Sequence, residues 1–125
     1  MGIAVTSLVD ALPLWRDVLG LASGEPEELA AEGVRVVFLP VAAGAAVELL
    51  EPTRDDSPVA KFLAKRGPGV HHLSFRVASC VEAIRAAEAA GIRIVPPAPR
   101  PGARGRLVAF FHPADTGGLL IEVCE

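Results

Sequence analysis

The chain repeats its own pattern, and that repeat constrains the fold more than any single motif. In the first half an apolar run at 2–5 precedes Leu8, Leu12, Trp15 and Leu19 at helical spacing, ending on Gly20. Pro13 sits inside the run, so the helix either starts late, near Asp10, or is kinked. Residues 34–39 and 45–50 then read as strands around an Ala43-Gly44 turn. In the second half, 72–77 reads as a strand and Ser79-Cys80-Val81-Glu82 has the form of a capping box. The helix behind it runs to Gly91, followed by a short strand at 92–95 and a Pro/Gly/Arg-rich loop at 96–105. Strands at 107–111 and 119–124 close the chain, joined by a turn around Asp115-Thr116-Gly117-Gly118.

Both halves thus run strand, helix, then two or three strands, a repeat of roughly 70 residues. Between them Ser57 as N-cap, Pro58 at the first helical position and Gly67 at the stop predict a linker helix. The predicted architecture is α+β: two βαβββ modules of mixed sheet curled around a shared cleft. Residues 1–125 are expected as one domain, with module one about 1–53, the linker helix about 57–67 and module two about 69–125.

Composition excludes several function classes. Half the 125 residues are apolar, net charge is −3, and no long run of one sign occurs, which argues against a nucleic-acid surface. Five Phe, one Trp and no Tyr make a base-stacking platform improbable on composition alone. Cys80 and Cys124 form neither a disulfide framework nor a C-x-x-C pair. No signal-peptide pattern and no membrane-length apolar stretch is visible, so the expectation is a cytoplasmic protein without a membrane partner. Met1 to Thr6 loosely fits a myristoylation pattern, but Ile3-Ala4-Val5 reads better as a buried strand.

Candidate chemistry lies on the strands. His71 and His72 open the first strand of module two, and strand neighbours point to opposite faces, so only one can face a given cleft. Glu122 sits inside the apolar Leu119-Leu120-Ile121-Glu122-Val123, where a carboxylate needs a partner. Glu48, in Ala46-Val47-Glu48-Leu49-Leu50, occupies the matching place in module one. A lone strand histidine is more often structural, and a lone strand glutamate often faces solvent, as expected for Glu51 and Glu125. The repeat-matched pair Glu48 and Glu122 shifts the balance: with His72, two carboxylates converging on one cleft suit a divalent cation. His112, before Pro113, reads as a turn or packing residue.

Several segments carry a family resemblance. Gly2-Ile3-Ala4-Val5 and Trp15-Arg16-Asp17-Val18-Leu19-Gly20-Leu21 are similar to the opening strand and helix of the vicinal-oxygen-chelate superfamily. Val47-Glu48-Leu49-Leu50-Glu51-Pro52-Thr53, the helix around Ser57-Pro58-Val59-Ala60-Lys61-Phe62-Leu63, and Gly69-Val70-His71-His72-Leu73-Ser74-Phe75 resemble methylmalonyl-CoA epimerases, as does the segment from His112 to Glu122. The match covers nearly the whole chain.

The resemblance implies a glyoxalase-like fold, an acyl-CoA substrate, a homodimer and a place in propionyl-CoA metabolism. It implies a divalent metal, cobalt foremost, with manganese, nickel, zinc or magnesium as alternatives, held by His72, Glu122 and Glu48. The family's further first-strand histidine would fall just ahead of Met1. The expected reaction is epimerisation at C2 of methylmalonyl-CoA through an enolate, with Glu48 and Glu122 as acid and base. Thr116, Gly117 and Gly118 could offer backbone N–H groups to a substrate carboxylate, and Arg104 could meet coenzyme-A phosphates, as could Arg100 and Arg106. Competing expectations are a glyoxalase-like lyase and a metal-free, bleomycin-resistance-type sequestering protein.

Overall fold

The computed structural model describes residues 1–125, which divide into two compact units, Met1–His71 and His72–Glu125. In the first unit, strands Gly2–Ala4 (β1), Glu27–Leu29 (β2), Val34–Pro40 (β3) and Ala46–Pro52 (β4) lie in the order β2-β3-β4-β1. β1 is parallel to β4, and the other pairs are antiparallel. Period-two alternation sorts the side chains. Val37, Leu39, Val47 and Leu49 point to one face, where they meet Leu8 and the partly buried Leu12 and Trp15. Ala4, Val34, Val36 and Leu50 point to the other, against Val59, Phe62 and Leu63. Leu39 and Leu49 are wholly buried, each such side chain contributing about 1.5–3 kcal/mol from burial.

The first helix begins at Leu8, not near Asp10. Ser7 caps it by accepting from Asp10 N at 3.2 Å, and Leu8–Pro13 (α1) is α-helical. Pro13 has no N–H to donate, and the ladder widens directly behind it into a π-helical turn, Leu14–Val18, closed by Leu19 N donating to Leu14 O. The linker helix, Pro58–Arg66 (α2), keeps its expected signals: Ser57 Oγ accepts from Ala60 N, and Gly67, at φ 74°, ends it. β2 is an element the sequence does not announce, since Glu27-Glu28-Leu29 lacks alternation.

The second unit repeats the plan. Gly69–Arg76 (β5) spans the unit boundary and leads to Cys80–Ala89 (α3), Ile94–Pro101 (β6), Leu107–Phe111 (β7) and Leu120–Cys124 (β8). The order is β5-β8-β7-β6, with β5 parallel to β8 and the others antiparallel. Cys80, Ala83 and Ile84 of α3 pack on Leu107, Ala109, Phe111 and Val123. β6 runs further than the expected 92–95 strand and absorbs much of the presumed loop. Its prolines are tolerated because β6 lies at the end of this unit's strand order and its register breaks between Val95 and Arg100.

Of the two acids expected to face solvent, Glu125 is exposed and Glu51 half-buried, and both have partners. Glu125 Oε2 accepts from Cys80 N at 2.8 Å, a carboxylate at a helix N-terminus, and Glu51 lies 3.6 Å from Arg35. No helix is long and apolar enough to cross a membrane.

Candidate metal centre

The ladder of the second unit decides what shares a face with His72. Ser74 pairs with Glu122, Glu122 with Phe110, and Val108 with both Cys124 and Arg100. Paired residues point the same way, so His72, Ser74, Glu122, Cys124, Val108, Phe110 and Arg100 occupy the face opposite α3. His72 is buried, and its ring meets Phe110 edge-on with centroids 5.8 Å apart. Its neighbour His71 instead packs edge-on against Phe62 at 5.1 Å. Only His72 takes the Glu122 face, as strand geometry requires.

Glu122 is half-buried, and burial pushes its carboxyl above the usual range, while Ser74, Arg100 and Arg106 pull it back. Its Oε1 accepts from Ser74 Oγ at 2.5 Å. Ligating atoms of His72 and Glu122 lie within 4.8 Å of each other. Atoms that ligate one cation at about 2.1 Å stand roughly 3–4 Å apart, so with a small side-chain adjustment His72 and Glu122 would be able to hold one ion. Neutral imidazole with carboxylate suits borderline divalent ions rather than the softest ones. The residues present therefore fit such a cation.

In the first unit, Glu48 stands half-buried on β4, on the face opposite α1, between ladder partners Gly2 and Phe38. Gly2 pairs with Glu48 across a parallel ladder as Ser74 pairs with Glu122. The two glutamates are thus equivalent within their own units, as the repeat indicates.

Thr116, Gly117, Gly118 and Arg104 lie in turns. Thr116 Oγ1 donates to Leu119 O and lies 3.3 Å from His112 O, while the amides of Thr116 and Gly118 donate to Pro113 O. Gly117 and Gly118 have φ values of 70° and 86°, conformations that favour glycine. Arg104 occupies a left-handed position, φ 57°, in the turn Ala103–Gly105. Arg100 lies within β6, its guanidinium 4.8 Å from the Phe110 ring centre. His112 serves the turn as expected, Nδ1 accepting from Ala114 N. Sequence reasoning missed Ser74, Cys124 and Phe110 as neighbours of the pair. Period-two steps from His72 and Glu122 would have reached the first two.

The turn bearing Thr116 is clamped by Arg93, whose Nε and Nη2 donate to Asp115 at 2.7 and 2.8 Å, with its backbone N adding a third bond. The clamp holds the Asp115 carboxyl well below its usual value, chiefly through the Arg93 side-chain bond. A depressed folded pKa stabilises above the unfolded value of 3.8 and loses that contribution as pH falls through the folded one. Asp115→Asn is therefore expected to lower Tm at neutral pH and to flatten the fall in Tm below about pH 4, read by melting from pH 7 to 2.

The class of protein follows from this fold and its comparisons. The chain matches the Glyoxalase/Bleomycin resistance protein/Dioxygenase superfamily over residues 1–110, and it belongs to that superfamily. It is 39% identical to the uncharacterised protein YqjC of Bacillus subtilis over all of this chain and 89% of that one. It is 38% identical to the mitochondrial methylmalonyl-CoA epimerase of Bos taurus, covering 98% of this chain and 70% of that one. The crystal structure of methylmalonyl-CoA epimerase from Mycobacterium tuberculosis superposes with a TM-score of 0.93 at 37% identity, over 99% of this chain and 83% of that one. Within the superfamily, the chain belongs to the methylmalonyl-CoA epimerases, a family of isomerases.

Proposed function

We propose that the protein epimerises methylmalonyl-CoA at C2, with Glu48, His72 and Glu122 holding a divalent cation, cobalt foremost. The observation that carries this reading is the pair His72 and Glu122, a buried imidazole beside a half-buried carboxylate on the sheet face that α3 leaves uncovered. Glu48 joins the set on the strength of its equivalent register in the first unit. Manganese, nickel, zinc and magnesium are alternatives with the same donor preferences. A homodimer is part of the proposal, by family.

The C2 proton of the substrate lies between a thioester carbonyl and a carboxylate, so its removal leaves an enolate. A bound divalent cation supplies Lewis-acid stabilisation of that charge. Glu48 and Glu122 act from opposite sides: one carboxylate takes the proton from C2, and the other, protonated, returns a proton to the opposite face. Each turnover moves one proton between the two groups, and exchange with solvent resets them. The amides of Thr116 and Gly118, expected to face substrate, are bonded to Pro113 O instead, which leaves the Gly117 amide to receive the substrate carboxylate, while Arg104 meets the coenzyme-A phosphates.

The test is loss of the C2 proton signal of methylmalonyl-CoA in deuterated water, followed by NMR, together with inversion at C2. Chelator treatment is expected to remove the activity and cobalt to restore it. Activity untouched by chelation would sink the metal role, and no exchange with any of the five metals would sink the reaction. Turnover of a thiohemiacetal instead would identify a lyase.

A further inference from the structure

We infer that Ser74 is a positioning residue for Glu122, fixing the carboxylate beside His72 so that Oε2 is the oxygen offered to a cation. This rests on the metal-centre reading above. The Ser74 hydroxyl has one proton, and at 2.5 Å from Glu122 Oε1 it is committed there. A charge-assisted bond of this length is among the stronger hydrogen bonds. It ties down the end of a side chain with three rotatable bonds, whose freedom a cation would otherwise have to remove on binding.

The anchor is itself held. Ser74 stands on β5, directly paired with Glu122 on β8, two residues after His72 on the same strand face. Cys124 Sγ lies 3.6 Å from Ser74 Oγ, and Arg106 Nη1 lies 3.7 Å from that sulfur. Ser74, Glu122 and Cys124 stand on one face of the paired strands β5 and β8, and Arg106 reaches the sulfur from the turn that precedes β7. Such support decides how precisely a ligand is presented, and removing it commonly costs about 10–100-fold in metal affinity.

The two repeats differ at this point. The ladder partner of Glu48 is Gly2, which has no hydroxyl to offer. Ser74 therefore gives Glu122 a hydroxyl partner on its parallel ladder, a contact that Gly2 cannot make at the matching place in the first unit.

The experiment titrates cobalt(II) into metal-free protein by calorimetry and by the visible absorption of the bound ion. The parent, Ser74→Ala and Ser74→Thr are compared, with folding of each checked by circular dichroism. Ser74→Ala is expected to weaken cobalt binding about tenfold or more, and Ser74→Thr, which keeps a hydroxyl, to stay near the parent. Cobalt binding to Ser74→Ala as tightly as to the parent, or Ser74→Thr as weak as Ser74→Ala, overturns the inference alone. A parent protein that binds no cobalt overturns the metal-centre reading, and this inference with it. Because the readout is affinity, a failure of the proposed epimerisation leaves the result interpretable.

Discussion

Glu122→Gln is expected to reduce C2 proton exchange of methylmalonyl-CoA by about 10²–10⁴-fold, the range one acid/base group typically commands, while leaving the fold intact. Glutamine keeps the shape of the side chain and an oxygen for Ser74 Oγ to bond, so the 2.5 Å contact has a replacement acceptor. It loses the negative charge that would bind a cation and the ability to take or return a proton. Cobalt affinity is therefore expected to fall together with exchange. Stability should move the other way. Burial raises the Glu122 carboxyl above 4.5 in the folded protein, so the folded state resists its ionisation. That resistance is absent at low pH and costs stability as pH rises from about 4.5 through the raised value. In metal-free protein the glutamine variant should thus match or exceed the parent's Tm at neutral pH and lose this segment of pH dependence. NMR in deuterated water and melting between pH 4 and 8 read both effects. Undiminished exchange would remove Glu122 from the reaction. The companion Glu48→Gln separates the two carboxylates, since each is assigned one face of C2.

What the sequence made legible was what period and capping control. The duplicated strand-helix-strand order, Ser57 and Gly67 around α2, and Ser79 ahead of α3 all depend on local residue chemistry, and each stands where its signal lies. His72, Glu122 and Glu48 were legible because a charged or titratable residue inside an apolar alternating strand has no local excuse. The misses have a different origin. β2 is three residues at the edge of its sheet, formed because β3 offers it an unpaired side, not because Glu27-Glu28-Leu29 favours extension. The far half of β6 is proline-rich and reads as loop until β7 lies beside it. Glu125 is exposed as expected, but nothing nearby in sequence reveals that its carboxylate accepts from Cys80 N at 2.8 Å. Ser74 could be placed on the His72 face by a period-two step, but its bond to Glu122 comes from register with β8, and a ladder across 48 residues cannot be read from one strand. Local chemistry is written along the chain, whereas partnership across strands is written only in the fold.

That separation bears on the second large effect. Leu49→Ala is expected to destabilise the protein by about 3 kcal/mol, the lower-middle of the range for truncating a buried leucine, and to lower Tm by roughly 10 °C in a domain of this size. Leu49 is wholly buried, paired with Ile3 and Val37, and packed with Leu8, Leu39 and Val47 under α1. Removing three carbons there leaves a void that neighbours on well-paired strands fill poorly. Yet Leu49 follows Glu48 on β4, and strand alternation sends the two side chains to opposite faces. The variant should therefore keep cobalt affinity and exchange rate near the parent's at low temperature, where most of it is folded, and lose both steeply as its lowered Tm is approached. Thermal melts beside exchange rates measured from about 10 °C upward test this. A variant with unchanged Tm would show that β4 is not held from the α1 side. One that is stable but inactive when cold would show that the packing beneath Glu48 sets its placement, so that the first-unit carboxylate depends on core shape where Glu122 has Ser74.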